Sequence, residues 1–203
     1  MKKVLLATAN TKKLAELQRI LDTALGSSRV TSVGLGDFDD YPDVPETGLT
    51  FGENALLKAR EGARRTGLPT VADDSGLAVD ALNGMPGVFS ARWSGRHGDD
   101  DANLDLLLAQ VGDVPDEHRR ASFVCAAALV LPGGREHLVD GVQAGRLLRA
   151  RRGTGGFGYD PIFRGAGPTR AKAELTDEEK DAISHRGKAF RALATVVARE
   201  LLR

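Results

Sequence analysis

Val4-Leu5-Leu6-Ala7-Thr8-Ala9-Asn10-Thr11-Lys12-Lys13-Leu14 carries the chain from an apolar run, across a polar turn, into a helical repeat. Lys3 to Thr8 is short, continuous and apolar, as a buried strand is. Beyond the turn Leu14, Leu17, Leu21 and Leu25 recur at three- and four-residue intervals, with Lys12, Lys13, Glu16 and Arg19 between them, which predicts an amphipathic helix. The alternation then repeats. Arg29 to Leu35 reads as a second strand and the acidic, proline-containing stretch Asp37 to Pro45 as an exposed loop. Thr50-Phe51-Gly52-Glu53 has capping-box spacing and announces a helix through Ala55, Leu56 and Ala59, which Gly67 and Pro69 end.

Further along, strands at Thr70 to Ala72 and Leu77 to Leu82 flank a polar turn, Asp73-Asp74-Ser75-Gly76. A helix follows at Asn103 to Val111, with Asp99 to Asp101 suited to its dipole. Ala121 to Leu131, Pro132-Gly133-Gly134 and His137 to Leu148 predict a long antiparallel hairpin. A second capping box, Thr176-Asp177-Glu178-Glu179, opens a helical C-terminus whose stripe Phe190, Leu193, Val197 and Leu201 is core packing. Helices alternating with strands predict an α/β fold around a mixed central sheet. The expected arrangement is one domain over residues 1–203, with the hairpin and C-terminal helix forming a second lobe.

Composition limits the function. Lys and Arg total 28, as do Asp and Glu, so no global field draws the chain to nucleic acid or an anionic membrane. The apolar run after Met1-Lys2-Lys3 is too short for a signal peptide, and no later run is long enough to span a bilayer. A cytoplasmic protein is expected. The single cysteine, Cys125, lies in the apolar stretch Phe123 to Leu131 and reads as a small core residue.

Four polar clusters fall where elements end, the usual place for ligands in open α/β sheets. Thr8-Ala9-Asn10-Thr11-Lys12-Lys13 offers amides, hydroxyls and ammonium groups to a polyphosphate at a helix N-terminus, or is simply a helix cap. Asp73-Asp74 is a carboxylate pair that repels itself unless solvated or offset by a cation, for which magnesium is suited. Glu46 and Glu53 are further candidates, Glu53 equally as the capping partner of Thr50. Gly153-Thr154-Gly155-Gly156-Phe157-Gly158 matches the dinucleotide-binding glycine pattern, but no strand precedes it and Pro161 forbids the required helix. A loop presenting Phe157 to a flat ligand fits better, and a plain glycine turn with Phe157 in the core remains open. Lys180 and Ser184-His185-Arg186-Gly187 group a cation with imidazole and guanidinium donors within two helical turns, suited to a carbonyl-bearing base or a phosphate, or to a solvated helix face.

In this order the clusters resemble the inosine triphosphate pyrophosphatase family, the non-standard purine nucleotide pyrophosphatases. The resemblance runs from Val4 to the final helix. It is carried by Thr8-x-Asn10-x-x-Lys13, Glu46-Thr47-Gly48-Leu49-Thr50-Phe51 with Glu53-Asn54-Ala55, Ala72-Asp73-Asp74-Ser75-Gly76-Leu77, Ser90-Ala91-Arg92, Gly155 to Pro161, and Ser184-His185-Arg186-Gly187. It implies two lobes around a substrate cleft, a homodimer, magnesium dependence, and hydrolysis of inosine, deoxyinosine and xanthosine triphosphates to monophosphate and pyrophosphate, which cleanses the nucleotide pool. Asp74 matches the proton acceptor and a magnesium ligand, and Glu46 a second ligand. Thr8, Ala9, Asn10, Thr11, Lys12 and Lys13 match the phosphate-holding segment, and Ser75, Phe157, Gly158, Tyr159, Asp160, Lys180, His185 and Arg186 match substrate contacts. Ala9 departs from the glycine expected of many relatives. Competing readings are a nucleotide-binding protein without catalysis and a pyrophosphatase for modified pyrimidine or methylated nucleotides.

Overall fold

The computed structural model describes residues 2–202 apart from Ser28, Asp40 and Pro168, so the acidic loop read at 37–45 lies partly outside the described residues. The chain runs β1 (Lys2–Leu6), α1 (Thr11–Leu25), β2 (Val30–Val33), α2 (Phe51–Thr66), β3 (Thr70–Val79), α3 (Asp100–Gln110), β4 (Arg120–Val130), β5 (Glu136–Leu147), β6 (Phe163–Gly165), α4 (Asp177–Ile183) and α5 (His185–Leu201). The strands form one mixed sheet in the order β2-β1-β3-β4-β5-β6. β1 pairs in parallel with both β2 and β3. Parallel neighbours need a crossover, and α1 and α2 supply it. β5 and β6 pair antiparallel.

The helix ends follow their sequence signals. Asn10 caps α1 by accepting from the backbone N–H groups of Lys12 and Lys13. Thr50 and Glu53 close the capping box on α2, and Gly67, at φ 66°, ends it in the left-handed region. Thr176 and Glu179 do the same for the start of α4.

Three expectations are corrected. Asp73-Asp74-Ser75-Gly76 is no turn: β3 runs unbroken from Thr70 to Val79, and Asp80–Leu82 is a 3₁₀ turn. The run has turn-like composition, but its carboxylates find partners on both faces of the strand. Gly76 serves close approach, since a Cβ there would stand 2.4 Å from Ser90 Oγ and 2.6 Å from Gly87 O. Secondly, Lys180 and His185 do not share a helix, because Ser184 (ψ 143°) separates α4 from α5. Thirdly, the hairpin and the C-terminal helix do not form a lobe of their own, since the distal part of the hairpin, Cys125–Gly141, and α5 both group with the N-terminal segment. The chain divides into two compact units, and α5 belongs to the one that contains the N-terminus.

Unit 1 comprises Met1–Asp74, Cys125–Gly141 and Arg186–Arg203. Its core buries Val4 and Leu6 of β1 with Leu17 and Leu21 of α1 and with Phe190, Leu193 and Val197 of α5. The apolar stripe of α5 is thus spent inside unit 1. A second cluster sets the alanine face of α2 (Ala55, Ala59, Ala63) against Ala72, Ala126 and Ala128, small side chains that let the helix lie close to the strands.

Unit 2 comprises Ser75–Val124 and Val142–His185. Its core holds Leu77, Val79, Leu104, Leu107, Phe123, Ile162 and Phe163. Arg119 is buried there with its guanidinium donating to three backbone carbonyls, those of Val111, Leu147 and Leu148. It closes the end of α3 onto the end of β5.

Candidate active site

Successive residues of a strand point to opposite faces. In β3 this separates the two adjacent carboxylates. Asp73 meets Lys13, whose Nζ lies 3.0 Å from both carboxylate oxygens, and Arg186, whose Nε donates to Oδ2 at 3.2 Å. The Cys125 thiol stands 4.0 Å from the same oxygen and is fully buried, as a small core residue. Burial is the largest single influence on Asp73 and raises its pKa, but Lys13, Arg186 and Lys58 together outweigh it and hold the carboxyl below the usual range. Asp73 therefore organises two cations of its own unit, and the offsetting charge read as a metal at this residue is protein.

Asp74 has different partners. Asn54 Nδ2 donates to its Oδ2 at 3.0 Å, and Lys58 Nζ lies 3.9 Å from its Oδ1. The same Nζ is 2.6 Å from Glu46 Oε1, so one lysine spans both carboxylates. The loop that carries Glu46 is tied to the start of α2. Gly48 N–H donates to Asn54 Oδ1 at 2.8 Å, and Leu49 and Thr50 N–H groups both donate to Glu53 Oε2. Glu53 is thus a capping residue. A Cβ on Gly48 would stand 2.6 Å from Glu53 Cβ, which restricts that position to glycine. Among the described residues no three His, Cys, Asp or Glu side chains group to hold a metal. Two convergent carboxylates of hard oxygen donors suit magnesium, which commonly takes one or two protein carboxylates and completes its shell with water and substrate phosphate.

The first turn of α1 is only partly spoken for. Thr8 Oγ1 accepts from Asn10 N–H at 3.2 Å, and Asn10 Oδ1 accepts from Lys12 and Lys13 N–H, so both side chains act as local caps. Ala9, Asn10, Thr11 and Lys12 are exposed, and no acidic residue occupies the first turn to offset the helix dipole. Asn83 is the only non-glycine with positive φ among the described residues, so Ala9 sits without strain where glycine was expected.

The remaining predicted residues belong to unit 2. The glycine segment 153–158 opens no helix, and a single 3₁₀ turn, Asp160–Ile162, follows it. Phe157 is 70% exposed, which removes the core reading of its ring. The loop is pinned on both sides: Gly155 N–H donates to Ala173 O, and Gly158 N–H to Asp100 Oδ2 at 2.8 Å. Tyr159 is buried and donates its hydroxyl to Ser90 O at 2.9 Å. Lys180 Nζ lies 3.4 Å from where a Cβ on Gly155 would stand, which puts that ammonium beside the loop. Asp160 packs its carboxylate under Gly156 and pairs with buried Lys172 at 3.0 Å. Lys172 Nζ also stands 4.1 Å from the centroid of the Phe123 ring, against which the buried His185 ring stacks at 5.1 Å. Ser75 is half-buried.

The structure thus brings together Glu46 with Asp74, and Lys13 with Arg186. It does not bring together His185 and Arg186, since neighbours in a helix do not face one another: His185 packs on Phe123 and Arg186 bonds Asp73. Asn54 and Lys172 were missed. Asn54 had a usable signal, a polar residue within the small-residue face of α2. Lys172, between Ala171 and Ala173, had only its apolar flanks.

These features define an α/β protein with paired carboxylates and cations, and with a glycine loop that exposes an aromatic ring. That is a class suited to a charged, aromatic small ligand such as a nucleotide. The chain belongs to the Ham1 family, whose model matches residues 4–196. It is 63% identical to the dITP/XTP pyrophosphatase of Streptomyces coelicolor, with 100% of both chains covered. It is 61% identical to that of Mycobacteroides abscessus, over 94% of this chain and 92% of the relative. Two solved structures share the fold. The nucleoside-triphosphatase / dITP/XTP pyrophosphatase of Mycobacterium abscessus is 60% identical with a TM-score of 0.81, covering 96% of this chain and 98% of that one. A HAM1 protein of Coxiella burnetii is 42% identical with a TM-score of 0.89, covering 98% and 100%.

Proposed function

We propose that this chain is a magnesium-dependent pyrophosphatase that hydrolyses inosine, deoxyinosine and xanthosine triphosphates to the monophosphate and pyrophosphate, and so clears them from the nucleotide pool. The names of the relatives support the substrate class. The observation that carries the reaction is the Glu46–Lys58–Asp74 chain, two carboxylates and a cation anchored by Asn54.

Glu46 and Asp74 would hold the magnesium, which when bound supplies neutralisation of phosphate charge. Asp74 orients the attacking water and accepts its proton, with Asn54 fixing one carboxylate oxygen so that the other keeps a constant aim. Lys13 and Lys58 oppose the charge that develops on the leaving pyrophosphate, and Lys180 is assigned as a substrate contact. The Thr8 to Lys13 turn offers the N-terminus of α1 to the phosphates. Phe157 stacks on the base. His185 and Arg186 are assigned as separate substrate contacts, and a site built on a hydrogen bond to the 6-oxo group, which adenine lacks, rejects the analogue by roughly 10⁴-fold.

A panel of inosine, xanthosine, guanosine and adenosine triphosphates with product identification tests this. Monophosphate plus pyrophosphate, formed fastest from the first two and lost on chelating magnesium, is expected. Equal rates for all four, or stepwise release of orthophosphate, would overturn the assignment. No described helix is long and apolar enough to cross a membrane. We further assign the enzyme to the cytoplasm as a homodimer, and light scattering that returned a one-chain mass would remove the dimer.

A further inference from the structure

Three arginines of unit 2 lie in one row across three neighbouring strands. Arg146 of β5 is directly opposite Arg164 of β6. Leu147 N–H donates to Arg119 O and Leu131 N–H to Arg135 O, both at 2.9 Å. Both bonds fit one register of β4 against β5, and the short link between these strands makes that register antiparallel. It sets Arg120 opposite Arg146. Directly opposed residues share a face of the sheet, and like charges so placed repel.

All three line a single cavity of about 530 Å³, together with Gly145, Gly165 and Thr169. Among the described residues no acidic one lines it. Among the described residues, none of the three guanidinium groups makes a hydrogen bond or an ion pair. By contrast, Arg60, Arg151 and Arg170 each pair with a carboxylate. A row of like charges turned into a concavity is unfavourable alone and favourable around an anion. Guanidinium forks match phosphate oxygens in pairs, and the volume is that of a small-ligand site.

We propose that this cavity is a second anion site, separate from the carboxylate cluster, and that it takes an oligophosphate, either free or as the tail of a nucleotide. A nucleic acid strand fits less well, because no aromatic residue lines the cavity to stack a base and the chain has no net positive charge. The assignment does not depend on the hydrolytic reading.

The test is calorimetric titration of the whole chain with sodium tripolyphosphate in chelator, compared with the Arg146→Gln/Arg164→Gln double variant. The wild type is expected to show a binding event that the double variant lacks. Each single variant should weaken it about tenfold or more, the scale of a charge-assisted hydrogen bond. Hydrolysis of inosine triphosphate stays unchanged in all of them, which keeps this result distinct from that of the substrate panel. In phosphate-free buffer the double variant melts no lower than wild type, because opposed charges have been removed, and tripolyphosphate raises its midpoint less. Arg164→Lys, which retains charge without the fork, is intermediate. A non-hydrolysable nucleoside triphosphate that binds as tripolyphosphate does assigns recognition to the phosphate chain; tighter binding assigns the site to a nucleotide tail. Identical isotherms for wild type and double variant, or dependence on these arginines for a single-stranded oligonucleotide alone, would overturn the proposal.

Discussion

In unit 1 the site residues are charges already matched to one another: Asp73 to Lys13 and Arg186, and Lys58 to Glu46 and Asp74. In unit 2 the pair Asp160 with Lys172 is buried, and what the loop exposes is the Phe157 ring. The contrast separates two jobs. Fixed opposing charges are already oriented before any ligand arrives, so changes in unit 1 should register in turnover or folding. An exposed ring on a pinned glycine loop adds contact area without touching the reacting groups, so changes there should register in affinity.

Asp74→Asn tests the first half most severely. It keeps the shape of the side chain and removes its basicity, and turnover should fall by roughly 10²–10⁴-fold. Steady-state kinetics beside a thermal melt check it, and near-wild-type turnover would end the assignment of Asp74. Asp73→Asn sharpens the distinction between the adjacent carboxylates. It leaves Lys13 and Arg186 without their shared counter-charge and should cost about 3–5 kcal/mol of stability by denaturant unfolding. It should also change the pH dependence. The Asp73 carboxyl, ordinarily near 3.8, is depressed on folding, so its stabilisation is complete above that value and is lost as pH falls below it. The variant should lack this acid limb. Phe157→Ala is the mildest. It should raise KM by about 1–3 kcal/mol of lost stacking and leave kcat and the melting midpoint near wild type, and a fall in kcat alone would erase the division of labour.

The legible parts of the fold were those written in local chemistry. The leucine spacing of α1, the capping boxes before α2 and α4, and the turn between β4 and β5 each occupy a few consecutive residues. β3 failed for the opposite reason. Asp-Asp-Ser-Gly has the composition of a turn, and only Lys13, Arg186, Asn54 and Lys58, brought in from elsewhere in the chain, make it tolerable inside a strand. The placement of α5 failed likewise, since its stripe announces burial without saying against what. At the site, Glu46 and Asp74 were paired by the resemblance, since residue type alone left Glu53 equally open, and in the structure the two share a lysine. The grouping of His185 with Arg186 rested on adjacency in sequence, which a helix undoes by turning neighbours apart.

Cys125 has a practical consequence. It is the only sulfhydryl in the chain, it is fully buried, and burial above all, with Asp73 adding to it, pushes its pKa well up, so little reactive thiolate exists at neutral pH. The folded protein is therefore a silent background for maleimide chemistry. A cysteine introduced at exposed Leu138 in unit 1, or at Phe89 in unit 2, would take a fluorophore or spin label alone, without first deleting the native residue.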